Sequence, residues 1–141
     1  MSDFYDHRRG IQLRLTPEER VRLSVLEALE NELGYPKHLI AIERGLKEIS
    51  KDDTAPNRRI DILAFEEGTL APLLLIECKA VPLKDSMLDQ VLGYNHFAKA
   101  RSVCLVNETQ CIVGVNKGGS YSYQHAIPTY TELTTRAFSD N

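Results

Sequence analysis

The chain has 141 residues, of which 43% are apolar and 26% are charged, and its formal net charge is −3. This length suits one domain with a core of its own, and no apolar run is long enough to cross a bilayer. The acidic balance counts against strong duplex binding, and the absence of an apolar N-terminal segment makes a cytoplasmic location the expectation. We predict a single domain over residues 1–141, with a core at about 15–125 between a flexible N-terminal segment and a C-terminal tail.

The cysteines and the first third of the chain carry only local signals. Three cysteines without C-x-x-C spacing argue against a disulfide framework and a structural zinc site. Alternation over residues 11–15 predicts a short strand. Thr16, followed by Pro17 and then by Glu19 at the third helical position, is a capping box that predicts a helix over residues 17–33. Residues 38–49 are ambiguous, and we expect a short helix and then a strand over about 42–49.

The stretch from residue 58 to 79 organises the chain. Two apolar runs are joined by a polar turn that contains glycine and proline, which predicts a hairpin. Asp61 lies in the first run, and Glu77 and Lys79 lie in the second, although buried charge is costly unless it is paired or bound to a metal. An antiparallel hairpin brings Asp61 close to Glu77. Because side chains alternate along a strand, Glu77 and Lys79 share one face and Cys78 points to the other.

The second half predicts a crossover and an edge hairpin. A helix begins at residue 85 or 86 and reaches about 99, and a strand follows over 101–106. Strand, helix and strand in this order predict that the last strand lies parallel to the 73–79 strand in a right-handed connection. Residues 110–124 read as a hairpin at the sheet edge. The predicted fold is an α/β domain with a mixed sheet flanked by helices, in the order roughly α-β-β-β-α-β-β.

The spacing of the charged residues suits a metal-dependent phosphodiesterase. Carboxylates are hard oxygen ligands that Mg2+ or Mn2+ accepts, and Mg2+ keeps several waters of its own. Asp61, Glu77 and the Cys78 carbonyl oxygen form a candidate half-shell, in which Lys79 would position water or neutralise charge on a phosphate. The alternative is that Asp61 pairs with Arg58 or with its neighbour Arg59, because an isolated D…E-x-K pattern is common.

At this point the chain resembles a known family, the N-terminal nuclease domain of type I restriction enzyme R subunits, within the PD-(D/E)xK superfamily. The resemblance spans about residues 15–125 and looks closest to short stand-alone proteins made of this domain. It is carried by five segments: Leu15-Thr-Pro-Glu-Glu-Arg-Val-Arg22, Tyr35-Pro-Lys-His-Leu-Ile-Ala-Ile-Glu43, Arg59-Ile60-Asp61-Ile62, Leu75-Ile-Glu-Cys-Lys-Ala80 and Asp89-Gln-Val-Leu-Gly-Tyr-Asn95.

The resemblance implies a restriction-endonuclease-like fold and Mg2+-dependent hydrolysis of DNA. It implies that Asp61 and Glu77 hold the metal and that Lys79 is catalytic. It also implies that Glu43 is an accessory acid. In the family a Gln-x-x-x-Tyr element on the following helix faces the site, and the positions that match it here are Gln90 and Tyr94. The implied partners are DNA and either restriction-modification subunits or a motor acting in trans.

The chain departs from the family at several positions. Leu23 stands where Gln is usual, Gly93 stands where Arg is frequent, and the proline before the first acid is missing. No G-x-x-x-x-G-K-[ST] motif occurs, so these residues do not form an ATP-driven motor.

Several alternatives stay open on the sequence alone. The main rival is a non-catalytic DNA- or protein-binding module that keeps the nuclease fold, and a weaker one is an RNA-processing nuclease. Glu43 could be a solvated acid, and Gln90 with Tyr94 could be an ordinary half-buried helix face. The pairs Arg8/Arg9 and Arg58/Arg59 are either solvated surface or a rim that steers phosphates. The edge strands also make a homodimer by sheet extension geometrically feasible.

Overall fold

The computed structural model describes residues 3–135, which form two sheets and four α-helices. The strands are β1 (Asp3–Asp6), β2 (Ile11–Arg14), β3 (Ile40–Gly45), β4 (Arg59–Phe65), β5 (Pro72–Cys78), β6 (Ser102–Val106), β7 (Cys111–Lys117) and β8 (Ser120–Gln124). The helices are α1 (Pro17–Asn31), α2 (Leu46–Ile49), α3 (Asp85–Ala98) and α4 (Tyr130–Thr134).

The main sheet has six strands in the order β3-β4-β5-β6-β7-β8, and β1 pairs only with β2 in a separate hairpin. The pairing of β5 with β6 is parallel and all other neighbours are antiparallel. This confirms the mixed sheet, the central hairpin and the parallel strand after the crossover helix. Three strands follow α3 rather than the two of the rough order, because the edge hairpin adds both of its strands to the same sheet.

Helix α1 begins where the sequence predicts. The Thr16 hydroxyl accepts a hydrogen bond from the backbone N–H of Glu19 at 3.1 Å, and Pro17 occupies the first helical position. Both features satisfy the free donors of a helix N-terminus. The Glu19 carboxylate bonds Arg9 and Arg22 rather than closing the predicted capping box. The N-terminus of α1 therefore places an acid among arginines instead of on its own backbone.

For residues 38–49 the predicted short helix and following strand are present, but the strand was predicted to extend too far. A single 3-10 turn at Lys37–Leu39 leads directly into β3, and the short helix α2 comes after the strand. Strand β3 forms because β4 offers it a backbone ladder, with Ile42 opposite Ile62. Helix α2 follows because the fully buried Leu46 fills the core below the sheet. The local pattern could not rank these two uses of the same apolar residues.

Two apolar cores cover the two faces of the sheet. The first lies under α1 and α4 and the second lies under α2 and α3. Cys78 belongs to the first core and Leu75 to the second, as strand alternation requires. Alternation then puts Glu77 on the same face of the sheet as Leu75. Within residues 3–135, no helix is long and apolar enough to span a membrane.

The side chain of Asn95 fixes the chain that follows helix α3. The buried Asn95 side chain donates to the Ala100 carbonyl oxygen at 2.9 Å and accepts from the Ala100 N–H at 2.8 Å. Lys99 takes the left-handed conformation that commonly ends helices. Part of the predicted C-terminal tail forms α4, and residues 136–141 lie outside the described residues.

Candidate functional site

Strands β4 and β5 separate at the two carboxylates that the sequence singled out. Ile62 and Ile76 are the last backbone-paired residues before the acids, and beyond them hydrogen bonds from side chains to the backbone replace the backbone pairing. The backbone N–H of Asp61 donates to Glu77 Oε1 at 3.3 Å, and the backbone N–H of Cys78 donates to Asp61 Oδ2 at 2.8 Å. The predicted proximity of Asp61 and Glu77 is therefore present. Both residues are at least nine-tenths buried.

The backbone around Asp61 is irregular. Ile60 packs in the second core and Ile62 in the first, although residues two apart in a regular strand share a face. On the neighbouring strand, Glu43 adopts φ 56°, and the β3–β4 pairing passes from Ile42 to Arg44 without it. A left-handed conformation costs a residue with a side chain roughly 1–2 kcal/mol. Such strain persists where surrounding contacts impose it, which is frequent at functional sites.

A buried arginine from α1 holds Asp61. Arg22 Nη2 donates to Asp61 Oδ1 at 2.6 Å, and Arg22 also bonds Glu19 on its own helix. Its second terminal nitrogen lies 3.4 Å from Glu43 Oε1. Burial alone would lower the pKa of Arg22, but the hydrogen bond and the charge of Asp61 raise it above its ordinary value. Arg22 Nε is a buried donor without a partner among the described residues.

A second arginine arrives from the N-terminal hairpin. Arg9 lies in the turn between β1 and β2, and its side chain is 11% exposed. Its guanidinium bonds Asp6 at 2.5 Å, Glu19 at 2.9 Å and Glu43 at 2.6 Å. The pair Arg8/Arg9 was interpreted as solvated surface or a phosphate rim, and for Arg9 both alternatives are wrong. It is an internal cation, because three carboxylates from three elements converge on it.

Glu77 is the least compensated acid in the site. Burial, then the negative charge of the adjacent Asp61 and a hydrogen bond with it, raise the pKa of Glu77 to about 8, and Lys79 opposes this shift. A pair of carboxyl groups that shares one negative charge is the usual outcome when two acids are buried together. In the metal-free protein at neutral pH, Glu77 therefore carries a proton for much of the time.

We expect the stability of the metal-free protein to fall between about pH 5 and pH 8 because of Glu77. Its folded pKa of about 8 lies above the ordinary value of 4.5, so the folded state holds more protons than the unfolded state in this window. The resulting loss is on the order of 3 kcal/mol by proton linkage. Urea unfolding in chelator, followed by circular dichroism across this pH range, should show a flatter profile for Glu77→Gln. The exposed Glu108→Gln is the matched control and should follow wild type, whereas equal slopes in all three proteins would contradict the assignment.

The other predicted residues lie at different distances from this pair. Lys79 directly follows β5 and is half-buried, and its backbone N–H donates to the Val106 carbonyl oxygen at 2.9 Å. Gln90 is exposed on α3, one turn before Tyr94, whose ring lies under the Arg58 guanidinium at 5.8 Å. In the part of the chain that is described, neither α3 side chain bonds Asp61 or Glu77. Their predicted place facing the site stays a prediction.

The oxygen donors where β4 and β5 separate suit Mg2+. Asp61 and Glu77 supply two adjacent carboxylates, and each carboxylate oxygen has two lone-pair sites, so the existing bonds to Asp61 leave acceptor capacity. With the Cys78 carbonyl oxygen this makes the half-shell that suits an ion retaining its own waters. Glu43 is engaged by the arginines, and within residues 3–135 no three His, Cys, Asp or Glu side chains converge as a metal site. The residues fit one such ion with two carboxylate ligands.

A groove of about 960 Å3 lies elsewhere, between α1 and the β6–β7 connection. Its walls include Ser24, Cys111 and His125, and none of Asp61, Glu77 or Lys79 lines it. The carboxylate pair is the better candidate for a functional site than this groove, because it combines buried acids with a raised pKa at Glu77.

Sequence reasoning missed the partners of the acids. Arg22 and Glu19 fall inside a segment quoted for its resemblance, but the spacing of α1 marks them only as flanks of an apolar stripe. Asp6 is 2% exposed and Arg9 is nearly buried, yet both stand in a polar segment that reads as surface. The signal in the sequence was the excess of acids over bases in the β4–β5 hairpin, because buried acids need positively charged partners from other elements.

The fold and the site define a class: an α/β domain with a mixed six-stranded sheet, in which paired carboxylates and a lysine lie where two central strands separate. The family model described as type I restriction enzyme R protein N terminus matches residues 17–128. The chain belongs to this family, as its resemblance indicated. No curated protein matches the chain.

Proposed function

We propose that this protein hydrolyses phosphodiester bonds of DNA as an endonuclease that depends on Mg2+ or Mn2+. The observation that carries the proposal is the buried pair of Asp61 and Glu77 at the separation of β4 and β5, with Lys79 two residues beyond Glu77. Membership of a restriction-enzyme family supports it. The energetic argument is that two buried carboxyl groups sharing one negative charge are stabilised by a divalent cation, which would also release the proton of Glu77.

Each residue of the site has a task in this proposal. Asp61, Glu77 and the Cys78 carbonyl oxygen hold the ion, which when bound supplies Lewis-acid polarisation of the phosphoryl oxygen. Lys79 places an ammonium charge beside the phosphate and stabilises the negative charge that grows there. Arg22 holds the Asp61 carboxylate in a fixed orientation through its bond to Oδ1. Glu43 can join as a further acid only when its arginine partners withdraw.

The α3 residues and the partners complete the proposal. Tyr94 and Arg58 form a stacked pair, with Gln90 one turn away on the same helix, and together they offer a polar surface to a nucleic-acid backbone. Besides DNA, the expected partners are restriction-modification subunits or a motor in trans, in a cytoplasmic setting. A homodimer formed by pairing of the edge strand β8 is also proposed as an arrangement that the sheet geometry permits.

One observation favours a second candidate, a DNA- or protein-binding module without catalysis. Arg9 and Arg22 already pair with Glu19, Glu43 and Asp61. An acid site that contains its own cations has less need of a metal, so the fold could persist after loss of chemistry. The two candidates differ in whether the metal-free protein takes up a divalent ion at Asp61 and Glu77.

Plasmid nicking and calorimetry separate these candidates. We expect wild type to bind Mn2+ in the millimolar range or tighter and to nick supercoiled DNA, with both signals lost in Asp61→Asn because a carboxylate ligand is removed. Asp53→Asn, the same change at an exposed loop position, should behave as wild type. Absence of both ion binding and nicking in wild type would reject the nuclease proposal in favour of the binding module.

A further inference from the structure

The N-terminal hairpin is attached to the domain by charge. The two apolar cores draw their residues from position 21 onward, and neither includes a residue of β1 or β2. Ion pairs run from the hairpin turn to the domain: Arg8 bonds Glu30 of α1 at 2.7 Å, and Arg9 bonds Glu19 and Glu43. The hairpin also precedes the region matched by the family model. Residues outside that region thus contact Glu19 and Glu43, the acids that share Arg22 with Asp61.

Arg9 is surrounded by three acids. Its three terminal and side-chain nitrogens are each used, toward Asp6, Glu19 and Glu43, which belong to β1, α1 and β3. Glu43 is the most open of these acids, with 35% of its side chain exposed, against 2% for Asp6 and 11% for Glu19. Glu43 is also the acid held at φ 56° beside Asp61. Its contact with Arg9 at 2.6 Å is shorter than those with Arg22 at 3.4 Å and Arg59 at 3.7 Å, so Arg9 is its principal cation.

We propose that Arg9 is a positioning residue that withholds Glu43 from the divalent ion and so limits the affinity of the site. The inference rests on the proposed metal site at Asp61 and Glu77. Without the Arg9 charge, Glu19 would keep only Arg22, which also holds Asp61, and Glu43 would keep Arg22 at 3.4 Å and Arg59 at 3.7 Å. The cluster would then carry more negative charge, which would attract a divalent cation. Arg9 would then set how tightly the ion is held, although it touches neither the ion nor the substrate.

Calorimetric titration of the full chain with Mn2+ tests this role. We expect Arg9→Gln to bind the ion about threefold to tenfold more tightly than wild type, as expected when a nearby cation is removed. Arg8→Gln is the matched control, since it removes the same charge from the same turn but its partner is Glu30. Arg8→Gln should keep the wild-type affinity. An equal gain in both variants, or a weaker affinity in Arg9→Gln, would overturn the proposal.

Two further variants keep the test informative if Arg9→Gln folds poorly, which circular dichroism would reveal. Arg9→Lys retains the charge and should bind the ion less tightly than Arg9→Gln, although one ammonium replaces a three-nitrogen head group. In a Glu43→Gln background, Arg9→Gln should no longer tighten binding, whereas an undiminished gain would show that Arg9 does not act through Glu43. If wild type binds no ion but Arg9→Gln does, the inference stands and the nuclease proposal fails for the native chain. If neither binds, both fail.

Discussion

Replacing Lys79 with alanine is expected to lower metal-dependent DNA nicking by about a hundredfold or more, the usual cost of losing a charge that stabilises the reacting group. Lys79 is half-buried next to Glu77, and its side chain is not among the proposed ligands. The ion should therefore still bind in Lys79→Ala. Initial nicking rates at saturating Mg2+, measured beside Mn2+ calorimetry, separate chemistry from ion binding.

Two further variants serve as controls for Lys79→Ala. Lys84→Ala removes one exposed ammonium just before α3 and should leave nicking within about twofold of wild type, as surface charges are heavily screened. Lys79→Arg restores the charge on a broader head group and should recover only part of the rate. Wild-type nicking by Lys79→Ala would remove this residue from the mechanism. Loss of ion binding instead of chemistry would make it a structural counter-ion of Glu77.

Arg22→Ala is expected to destabilise the protein by about 3–5 kcal/mol, the range seen when one partner of a buried ion pair is removed. The change removes the arginine partner of Asp61 and leaves Glu19 with Arg9 alone, and both acids are at least nine-tenths buried. Because desolvated carboxylates without partners are costly, the penalty exceeds that of the lost methylene packing. Urea unfolding followed by circular dichroism measures the difference in free energy of unfolding at pH 7.

A double-mutant cycle isolates the Arg22–Asp61 contact. Asp61→Asn removes the charge that Arg22 neutralises, so adding Arg22→Ala in that background should cost about 1–3 kcal/mol less than in wild type. Arg20→Ala on the exposed side of the same helix is the control and should stay within about 0.5 kcal/mol. Additive free energies in the cycle would mean that the 2.6 Å contact carries no coupling.

The arginines and a divalent ion can pair with different acids of the site. Arg22 occupies Oδ1 of Asp61, while Glu77 has no arginine among the ion pairs of the described residues and keeps a raised pKa. The arginines therefore pair with Glu19, Glu43 and Oδ1 of Asp61. Glu77, on the other side of Asp61, has no arginine partner among the described residues. In our proposal, a single divalent ion supplies the positive charge that this side lacks.

Much of the fold followed from local chemistry. Thr16 and Pro17 determine where α1 begins, and the polar turn between two apolar runs determines the β4–β5 hairpin. The period of two along β5 placed Cys78 in the first core. The same hairpin brought Asp61 beside Glu77, because antiparallel pairing leaves little freedom once the turn is set. These features depend on residues close in sequence, so the sequence alone was sufficient.

Tertiary structure alone decided what compensates the acids. Arg22 and Asp61 are 39 positions apart, and Arg9 and Glu43 are 34 apart, so no local period links them. The same applies to β3, whose strand exists because β4 offers a ladder, and to Tyr94, which lies under Arg58. An ion pair has no characteristic sequence separation, so its partners are decided only when packing brings distant elements together. The sequence by itself determined where the buried carboxylates would meet, and the packing of α1 and the N-terminal hairpin decided which cations meet them.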